Sequence, residues 1–585
     1  MSSCKACLLV SRKVRKVRKV IQTKLSGLCE LCVRSYASRK AKTMNRNTTK
    51  ILFAAIAVFT CCSVAVAAGR RPMALVVMLD GFRADAVENA HAPNLRMLRD
   101  GKWQQGYKCA WSLTANTIFD ARTVSGPNHV SIATGVTAAK HTVPDNGKDT
   151  CDYAKWPSWL VRLADARPDT KALFMYCWDW DRTLCRDPRV RFHGAPDEKN
   201  ATSLAEMLAK PDAPDAIMWY INASDSGGHG WGYYPYTTGY FNKIHFADTA
   251  VGSVLAAIAA RPTFAQEDWM VIVTSDHGGY HMGHDMRKGS PCTCIPLLVT
   301  GRSVVPGRIA GSPRNYDVAP TVLAHFGIDV SGMDLDGRIL GRDPAAKDAR
   351  RPLSDGLAVY LPFDGKTMEN AVAGGPQPVA LSTNTTLRVA GGFAGGCVRI
   401  ASGADEVSGV CLKGSENLAF ENGGEFAFMV WVKTPQAFRG YPAIVSNKDW
   451  ASGNNPGIVL NGFDKYVQMN IGIPGGGRFD LRPYDLEPGR WTFYAVTRAA
   501  DGVVRFYQGG QGGYLYWMAE NAPEISLATG RPFHLGQDGT GRRKNGFNGE
   551  IDEFALWTRS LTHDEIRRIW EAAKRGIELG ELLLK

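Results

Sequence analysis

The chain has no excess of charge beyond its first fifty residues. Residues 1–50 hold fourteen of the 69 Lys and Arg side chains but only one of the 56 Asp and Glu, so the other 535 residues carry 55 of each sign. The net charge of +13 therefore does not indicate a basic folded domain, and we do not expect the protein to bind duplex nucleic acid. The hydrophobic content is not low either. With 45% hydrophobic content over 585 residues, the chain is not disordered or collagen-like, and two to four domains can form cores.

No apolar run reaches the roughly 20 residues that span a bilayer. The run that begins at Ile51 is interrupted at residues 61–63 and ends in an A-x-A sequence at residues 65–67. A short basic region, an apolar core and such a site predict a signal peptide over residues 44–67, with an uncleaved membrane anchor as the alternative. We therefore expect a secreted, periplasmic or cell-surface protein.

Cysteines do not show zinc-ligand spacing in the histidine-rich part of the chain. Residues 1–43 hold two Cys-x-x-Cys pairs, but nothing between them resembles a foldable core. We interpret this segment as a basic extension outside the fold, with a zinc ribbon as the alternative. The eight later cysteines, an even set in an exported protein, favour disulfides, and Cys177/Cys185 and Cys397/Cys411 are the local pairs.

Three apolar runs in the first half of the chain each lead to an aspartate. Runs of Val, Ile, Leu and Met without alternation end at Asp80, Asp225 and Asp276, and such runs are typical of parallel strands buried on both faces. Helical stretches at 203–208 and 241–260 separate them. The pattern predicts an α/β domain over residues 68–350, and the aspartates are expected to meet in one crevice at the carboxyl ends of the strands.

The second half of the chain has a different composition. Beyond residue 356, short alternating or aromatic runs are separated by Gly, Pro and Asn turns, a pattern that predicts an antiparallel sandwich. We expect a linker at residues 351–356 and an all-β domain over residues 357–585.

Histidines and a serine accompany the strand-end aspartates. His229 follows Asp225 by four residues, His277 follows Asp276 directly, and His284 comes shortly after. A set of imidazole and carboxylate ligands favours zinc, with manganese second. Ser125 precedes a proline suited to the first turn of a helix, whose N–H groups would hold an anionic substrate. Ser125 is therefore the candidate nucleophile, and Thr123 is its substitute.

Four blocks in this order resemble the type I phosphodiesterase and nucleotide pyrophosphatase branch of the alkaline phosphatase superfamily. They are LDGFR with Asp80, SGPNH with Ser125, DSGGH with Asp225, and SDHGG with Asp276, the last followed by GHD. The resemblance covers roughly residues 72–345. It implies an alkaline phosphatase-like sheet flanked by helices and hydrolysis through a phosphoserine.

The resemblance also implies roles for individual residues. One zinc would be held by Asp225, His229 and His284, and a second by Asp80, Asp276, His277 and the oxygen of Ser125. Asn128 matches an asparagine that contacts a non-bridging phosphate oxygen. The chain departs from many members in having serine at 125 and an early last histidine, so His281 is the alternative to His284.

Residues from about 356 resemble a laminin-G or concanavalin A-like jelly roll. The segment 547–570, in which a strand with Asp552 and Trp557 leads to a helix near Thr562, is the most specific part. Members of this fold bind glycans or proteins or act as spacers. We expect a glycan or cell-surface ligand for this domain; a calcium ion there is compatible with the fold, although no pattern marks it.

These features predict an exported two-zinc phosphodiesterase that acts on nucleotides or other small phosphodiesters. A sulfatase is the first alternative, because the chain keeps an S-x-P frame, although His129 stands where sulfatases carry an arginine. A phosphomonoesterase is the second. A non-catalytic glycan-binding or adhesion protein with a degenerate enzyme domain is the third, and the complete ligand set argues against it.

Overall fold

The computed structural model describes residues 69–583, except 286–290, 344–350, 403–405, 422–423, 483–484, 511–512, 523, 526 and 545. The predicted extension and signal peptide lie outside the described residues. From Arg71 onward the chain forms one compact unit. Within the described ranges, no helix is both long and apolar enough to cross a bilayer.

The first half of the chain forms an eight-stranded mixed sheet in the order β4-β3-β5-β1-β6-β7-β2-β8. Its strands are β1 (Arg71–Leu79), β2 (Lys108–Asn116), β3 (Ala172–Tyr176), β4 (Val190–Gly194), β5 (Ala216–Ile221), β6 (Glu267–Ser275), β7 (Cys294–Gly301) and β8 (Gly307–Arg308). Five neighbouring strands, β4 to β6 in the sheet order, are parallel, and β7 is antiparallel to both of its neighbours.

Helices cover both faces of this sheet, which explains the uninterrupted apolar runs. Along β1, the odd-numbered residues 73–79 belong to one buried cluster and the even-numbered residues 74–78 to another. The α-helices are α1 (Ala86–Asn89), α2 (Pro93–Arg99), α3 (Ser125–Thr134), α4 (Ala138–His141), α5 (Trp159–Ala166), α6 (Asp197–Leu208), α7 (Ala223–Trp231), α8 (Thr238–Ala259) and α9 (Val318–His325). Short 3₁₀ helices span Asp179–Cys185, Phe264–Gln266 and Asn315–Asp317.

Three central strands end level with one another. Leu79 at the end of β1 pairs with Ile221 at the end of β5 and with Ser275 at the end of β6. The three strand-end aspartates therefore begin at the same edge of the sheet. Gly81 has φ +62°, and a Cβ there would lie 2.9 Å from the Cα of Asp225. A larger residue could not let these two turns approach so closely.

The second half of the chain is an antiparallel sandwich, so the predicted fold class is confirmed for both domains. One sheet has the order β10-β13-β22-β15-β16-β17-β18, and the other has the order β11-β12-β23-β14-β19-β20-β21, with β9 also paired to β23. The apolar inner faces of the two sheets form one core.

The strands of the sandwich are short, and two helices follow its last strand. The strands are β9 (Leu357–Leu361), β10 (Gln377–Ala380), β11 (Thr385–Arg388), β12 (Cys397–Ala401), β13 (Val410–Lys413), β14 (Phe426–Lys433), β15 (Ala443–Ser446), β16 (Gly457–Phe463), β17 (Tyr466–Gly472), β18 (Arg478–Leu481), β19 (Thr492–Arg498), β20 (Val503–Gly509), β21 (Leu515–Asn521), β22 (His534–Leu535) and β23 (Asn548–Trp557). The helices are α10 (His563–Ala573) and α11 (Leu579–Leu583), and a 3₁₀ turn spans Ser415–Asn417.

The segment expected to be a linker packs against the end of the sandwich. Trp557 Nε1–H donates to the carbonyl of Leu353 at 2.7 Å, and Arg559 Nε–H donates to that of Asp355 at 2.8 Å. The change from helices and long strands to short strands falls between α9 and β9. The exact domain boundaries stay predictions.

Strand β21 joins the sandwich to the α/β domain. Trp517 Nε1–H donates to the carbonyl of Leu113 at 2.8 Å, and Asn116 Nδ2–H donates to that of Ala519 at 2.7 Å. These polar contacts are buried and lie within a continuous apolar cluster that includes residues of both domains. Because buried donors and acceptors are paired across the boundary, the two domains have a specific docking geometry.

The predicted disulfides are wrong, because all eight described cysteines are free thiols. Cys397 lies on β12 and Cys411 on β13, which belong to different sheets. Their sequence neighbours point into the core, so strand alternation turns the two thiols toward opposite outer faces. Cys185 Sγ instead contacts the hydroxyl of Ser158 at 2.9 Å and does not bond to Cys177.

Candidate active site

Two groups of potential metal-binding atoms meet at His277. One consists of Asp80, Asp276 and His277, and the other of Asp225, His277 and His284; the donor atoms of each group lie within 4.8 Å of one another. His277 Nε2 is 3.3 Å from Asp80 Oδ1 and 3.3 Å from Asp276 Oδ2. The aspartates that follow β1, β5 and β6 thus converge in one crevice.

The candidate nucleophile lies in the same crevice. Ser125 Oγ is 3.4 Å from Asp80 Oδ2 and 3.4 Å from His277 Nε2. Ser125 is the first residue of α3, and the preceding Val124 is extended. The hydroxyl therefore stands at the positive end of a helix and beside the group of Asp80, Asp276 and His277.

The three histidines are oriented by backbone carbonyls. Their Nδ1 atoms lie at hydrogen-bonding distance from the carbonyl oxygens of Met282, Gly278 and Thr123, at 3.0 Å for His229, 2.8 Å for His277 and 2.7 Å for His284. With Nδ1 as the donor, each Nε2 carries its lone pair into the crevice, an arrangement common among metal-ligating histidines.

His229 and His284 face each other across the outer part of the site. Their Nε2 atoms are 3.1 Å apart, and His229 Nε2 is 3.6 Å from Asp225 Oδ2. Burial and the neighbouring His277 lower the pKa of His284 to about 4, so its imidazole is neutral near neutral pH. Two lone pairs directed at each other require a cation or a proton between them, and the nearby carboxylate favours a metal ion.

The charges of the buried carboxylates Asp80 and Asp276 also favour a cation. Asp80 is 1% exposed, and its Oδ1 accepts no hydrogen bond from the residues that the structure describes. Burial, followed by repulsion from Asp276 and Asp225, raises the pKa of Asp80 well above its usual range. Burial would also raise the pKa of Asp276, but His277, His129 and the backbone N–H of Gly81 lower it. A divalent ion would neutralise this repulsion.

Two tyrosines that the sequence did not reveal hold the carboxylates in place. Tyr220 O–H donates to Asp80 Oδ2 at 2.5 Å, and Tyr233 O–H donates to Asp225 Oδ1. Tyr220 lies within the uninterrupted apolar strand β5, where side-chain direction cannot be read from the sequence. Tyr233 lies in an aromatic segment, and only its contact with Asp225 distinguishes it from its neighbours.

His129 contacts the group of Asp80, Asp276 and His277 on its buried side. Its Nδ1 is 2.7 Å from Asp181 Oδ1, its Nε2 is 3.2 Å from Asp276 Oδ2, and the ring is fully buried. Burial would lower the pKa of His129, but Asp181 and Asp276 raise it well above its ordinary value. The position of His129 one turn after Ser125 was a signal that sequence reasoning did not use.

The predicted phosphate contact, Asn128, is fully buried and engaged within the protein. Its Oδ1 accepts from the Asn315 amide at 2.8 Å and from the Ile118 N–H at 3.3 Å. Its Nδ2 donates to the carbonyls of Val124 at 2.9 Å and Arg122 at 3.3 Å. The role assigned to Asn128 therefore stays a prediction, and it would require these bonds to change.

A second asparagine stands at the start of α3. Asn146 Oδ1 accepts from the backbone N–H of Gly126 at 2.7 Å, which fixes the amide beside Ser125. The side chain is exposed, and among the described residues its Nδ2 has no acceptor. The sequence contains only a turn-like Asp-Asn-Gly at this point, so the proximity to Ser125 becomes visible only in the fold.

The two alternative residues have other partners. The Thr123 hydroxyl donates to the backbone carbonyl of His284, so it faces the backbone of the loop that carries the candidate metal ligand His284. His281 Nδ1 is 3.0 Å from the Tyr234 hydroxyl, and its Nε2 is 3.7 Å from Asp485 of the sandwich. Neither geometry directs the side chain into the group formed by Asp225 and His284.

The fold and this crevice define a class of protein: an α/β domain with two adjacent Asp/His groups beside a helix-start serine, fused to a jelly-roll sandwich. Such an arrangement suits phosphoryl- or sulfuryl-transfer chemistry with paired cations.

Residues 74–290 match the family model of type I phosphodiesterase / nucleotide pyrophosphatase, and residues 405–567 match that of the concanavalin A-like lectin/glucanases superfamily. Both resemblances drawn from the sequence are thus confirmed.

Two curated relatives match part of the chain at low identity. A 2,3-bisphosphoglycerate-independent phosphoglycerate mutase of Acetivibrio thermocellus is 28% identical over 158 residues, which cover 26% of this chain and 28% of the relative. Ectonucleotide pyrophosphatase/phosphodiesterase family member 3 of Mus musculus is 23% identical over 235 residues, 35% of this chain and 25% of the relative. The chain thus spans about a quarter of the length of these relatives.

Solved structures with similarity to the chain include phosphodiesterases and sulfatases. Murine ectonucleotide pyrophosphatase / phosphodiesterase 5, in an inactive form with AMP, has a TM-score of 0.37 and 14% identity, covering 44% of this chain and 96% of that chain. A putative sulfatase from Bacteroides thetaiotaomicron has a TM-score of 0.38 and 13% identity, covering 48% of this chain and 76% of that chain.

Proposed function

We propose that the protein is an exported two-zinc phosphodiesterase of the nucleotide pyrophosphatase type, which acts through a phosphoserine at Ser125. The convergence of Ser125 Oγ with Asp80 and His277 carries this proposal, because it places one hydroxyl beside both Asp/His groups. Small phosphodiesters or nucleotides are the proposed substrates.

The donor set fits two zinc ions. Asp225, His229 and His284 would hold one, and Asp80, Asp276 and His277 would hold the other with the Ser125 oxygen. Mixed imidazole and carboxylate ligands are typical of catalytic zinc, and manganese is the second choice. When bound, the ions would supply charge for the attacking and departing oxygens. The unpartnered Asp80 Oδ1 supports this fit.

The chain's own residues would position the reacting groups. Ser125 Oγ forms a bond to phosphorus while the bond from phosphorus to the departing alcohol breaks, and water later cleaves the phosphoserine to restore the hydroxyl. The exposed Asn146 Nδ2 and the start of α3 would donate hydrogen bonds to a non-bridging phosphate oxygen. Tyr220 and Tyr233 keep the carboxylates in orientation.

The sandwich is proposed to bind a glycan or another cell-surface ligand. The match to the concanavalin A-like superfamily supports this role. A calcium ion in this domain would have Asp364, Glu553 and Glu578 as ligands, since one carboxylate oxygen of each lies within 4.8 Å of the others.

Hydrolysis of matched substrates tests the enzymatic proposal. The chain is expressed with its own leader and collected from the exported fraction, its N-terminus and bound metal are determined, and hydrolysis of an aryl phosphodiester, a phosphomonoester and a sulfate ester is compared. Ser125→Ala should abolish turnover. Ser226→Ala, which removes an exposed hydroxyl next to Asp225, should retain it.

Each outcome has a distinct meaning. Preference for the sulfate ester or the monoester would replace the phosphodiesterase by the corresponding alternative. Unchanged activity in Ser125→Ala would remove the assigned nucleophile. Two bound zinc ions without turnover of any ester would favour a non-catalytic binding protein.

A further inference from the structure

A cavity of about 310 Å³ opens on the outer face of the sandwich's seven-stranded sheet. Its lining includes Tyr441, Trp450, Gln468, Arg478, Arg482 and Arg543. Val467 and Met469, on either side of Gln468 along β17, belong to the apolar core. Strand alternation therefore turns Gln468 outward, and the cavity is formed on a polar face rather than by a gap in the core.

The cavity has an excess of positive charge. It is lined by three arginines and by no carboxylate. Arg478 pairs with Asp480 at 3.0 Å, whereas neither Arg482 nor Arg543 has an ion-pair partner among the described residues. Arg482 Nε–H donates to the neutral Gln468 Oε1 at 3.0 Å. Asp538 and Asp449 interact electrostatically with Arg543, but neither guanidinium group forms a direct ion pair with a carboxylate of the described residues. Two arginines that can still form bidentate contacts favour a ligand bearing carboxylate, sulfate or phosphate.

A buried ammonium adds to this charge. Lys448 is fully buried, and its Nζ donates to the carbonyl of Gly453 at 2.7 Å and to Asn470 Oδ1 at 2.6 Å. Both acceptors are neutral. Two carboxylates also bond to residues of this face: Asp480 pairs with Arg478 at 3.0 Å, and Asp538 accepts from the backbone N–H of Trp450 at 3.2 Å. The basic groups Arg478, Arg482, Arg543 and Lys448 outnumber these two carboxylates.

Aromatic rings stand at the rim of the cavity. Tyr441 is 47% exposed and stacks on Phe463 with a centroid distance of 4.6 Å. Trp450 Nε1–H donates to the carbonyl of Tyr441 at 2.9 Å, and the Arg543 guanidinium donates to the carbonyl of Trp450. The rings are therefore held in place beside the arginines. A small inorganic anion needs no such apolar surface, whereas the C–H faces of a sugar ring pack against it.

Arg478 also lines a second cavity, of about 720 Å³, between the two domains. Phe119 and Arg314 of the α/β domain line its opposite side. Arg314 donates to the carbonyl of Thr117 at 2.9 Å, and the segment that starts there leads to Ser125. Asp480 and Glu520 also line this second cavity, and they pair with Arg478 at 3.0 Å and with Arg314 at 3.6 Å. The excess of positive charge therefore belongs to the first cavity and not to the second.

We infer that the cavity lined by Arg482, Arg543 and Tyr441 binds an acidic saccharide, one that carries carboxylate or sulfate groups. This inference deepens the glycan-binding role proposed for the sandwich. Arg482 and Arg543 bind the anionic groups, and Tyr441 and Trp450 contact the sugar ring.

Binding of defined saccharides to the whole protein tests the inference. Calorimetry compares a heparin oligosaccharide, an oligogalacturonate, a neutral dextran oligosaccharide and inorganic sulfate. The two acidic saccharides should bind, more weakly as salt rises. Arg482→Gln and Arg543→Gln should each weaken binding about tenfold, the effect of one charge-assisted contact. Arg542→Gln, which changes an exposed neighbour outside the cavity, should bind as the wild type does.

Other results would overturn the inference. Equal binding of dextran would show a neutral glycan site, and equal affinity for inorganic sulfate would show an anion site without sugar recognition. Unchanged affinity in Arg482→Gln with an unchanged melting temperature would place the ligand elsewhere. Binding only to phosphatidylserine vesicles would identify a membrane surface instead. If no glycan binds while the aryl phosphodiester is hydrolysed, the glycan role fails and the enzymatic proposal remains.

Discussion

Separate replacement of Asn128 and Asn146 should show that the first residue mainly stabilises the fold and that the second mainly contributes to catalysis. In Asn128→Ala, the Ile118 N–H and the Asn315 amide lose their acceptor while they remain buried, and the carbonyl of Val124 loses a donor. Each buried group left without a partner costs about 1–3 kcal/mol. We expect a loss of roughly 3–5 kcal/mol and a melting temperature lower by about 10 °C.

Asn146→Ala should have the opposite profile. The side chain is exposed and forms one hydrogen bond to Gly126, so its removal should cost less than about 1 kcal/mol. If its amide donates to a phosphate oxygen, turnover of the aryl phosphodiester should fall about 10²–10³-fold. Thermal unfolding and steady-state kinetics of the two variants are measured side by side. A stable Asn128→Ala protein without turnover, together with an active Asn146→Ala protein, would refute this reasoning and support the role first assigned to Asn128.

Three further outcomes follow from the geometry. Tyr233→Phe should weaken zinc binding about 10–100-fold, because Asp225 loses its orienting donor; unchanged affinity in a metal titration would contradict this. Chelation of the metal should lower the melting temperature relative to that of the zinc-loaded protein. This difference in melting temperature should shrink as pH falls, because the raised pKa of Asp80 lets protons compete with the ion. A difference that does not depend on pH would argue against Asp80 as a ligand. His563 Nε2 on α10 lies 3.3 Å from Glu88 Oε2 on α1 of the α/β domain. Burial would raise the pKa of Glu88, but His563 and nearby arginines lower it to about 2, so this contact between the domains should stabilise the fold above about pH 4.5 and lose its effect as pH falls toward 2. Glu88→Gln should flatten that acid limb in pH-dependent unfolding, whereas the exposed Glu206→Gln should not.

Hydrophobic runs and motif order were sufficient to predict the α/β domain, the sandwich and the residues that meet at the strand ends. The reason is physical: parallel strands that end level bring the residues that follow them together. The sequence was therefore enough to predict that Asp80, Asp225 and Asp276 meet in one crevice. Partners that arrive from elsewhere in the chain could not be foreseen. Tyr220 is hidden in a strand with no alternation, and Asn146 reaches Ser125 only because a loop folds back over the start of α3.

Cysteine pairing failed for a related reason. Spacing along the chain placed Cys397 and Cys411 near each other, but they lie on outer faces of two different sheets. A short separation in sequence does not fix the direction of a side chain when the two residues belong to different layers. The role of Asn128 stays a prediction, because its motif position suggested a phosphate contact and its side chain has four hydrogen-bond partners within the protein.

The sandwich is part of the scaffold that holds the candidate active site. Asp485, on the loop before β19, accepts from the Tyr280 hydroxyl at 2.9 Å and lies 3.7 Å from His281 Nε2. Both partners belong to the loop between Asp276 and His284, which contributes atoms to both Asp/His groups. Separating the domains would release this loop and uncover the buried contacts of β21 with β2. The loop that carries His277 and His284 is therefore held by the docked sandwich, and the geometry of both Asp/His groups depends on the contact between the domains.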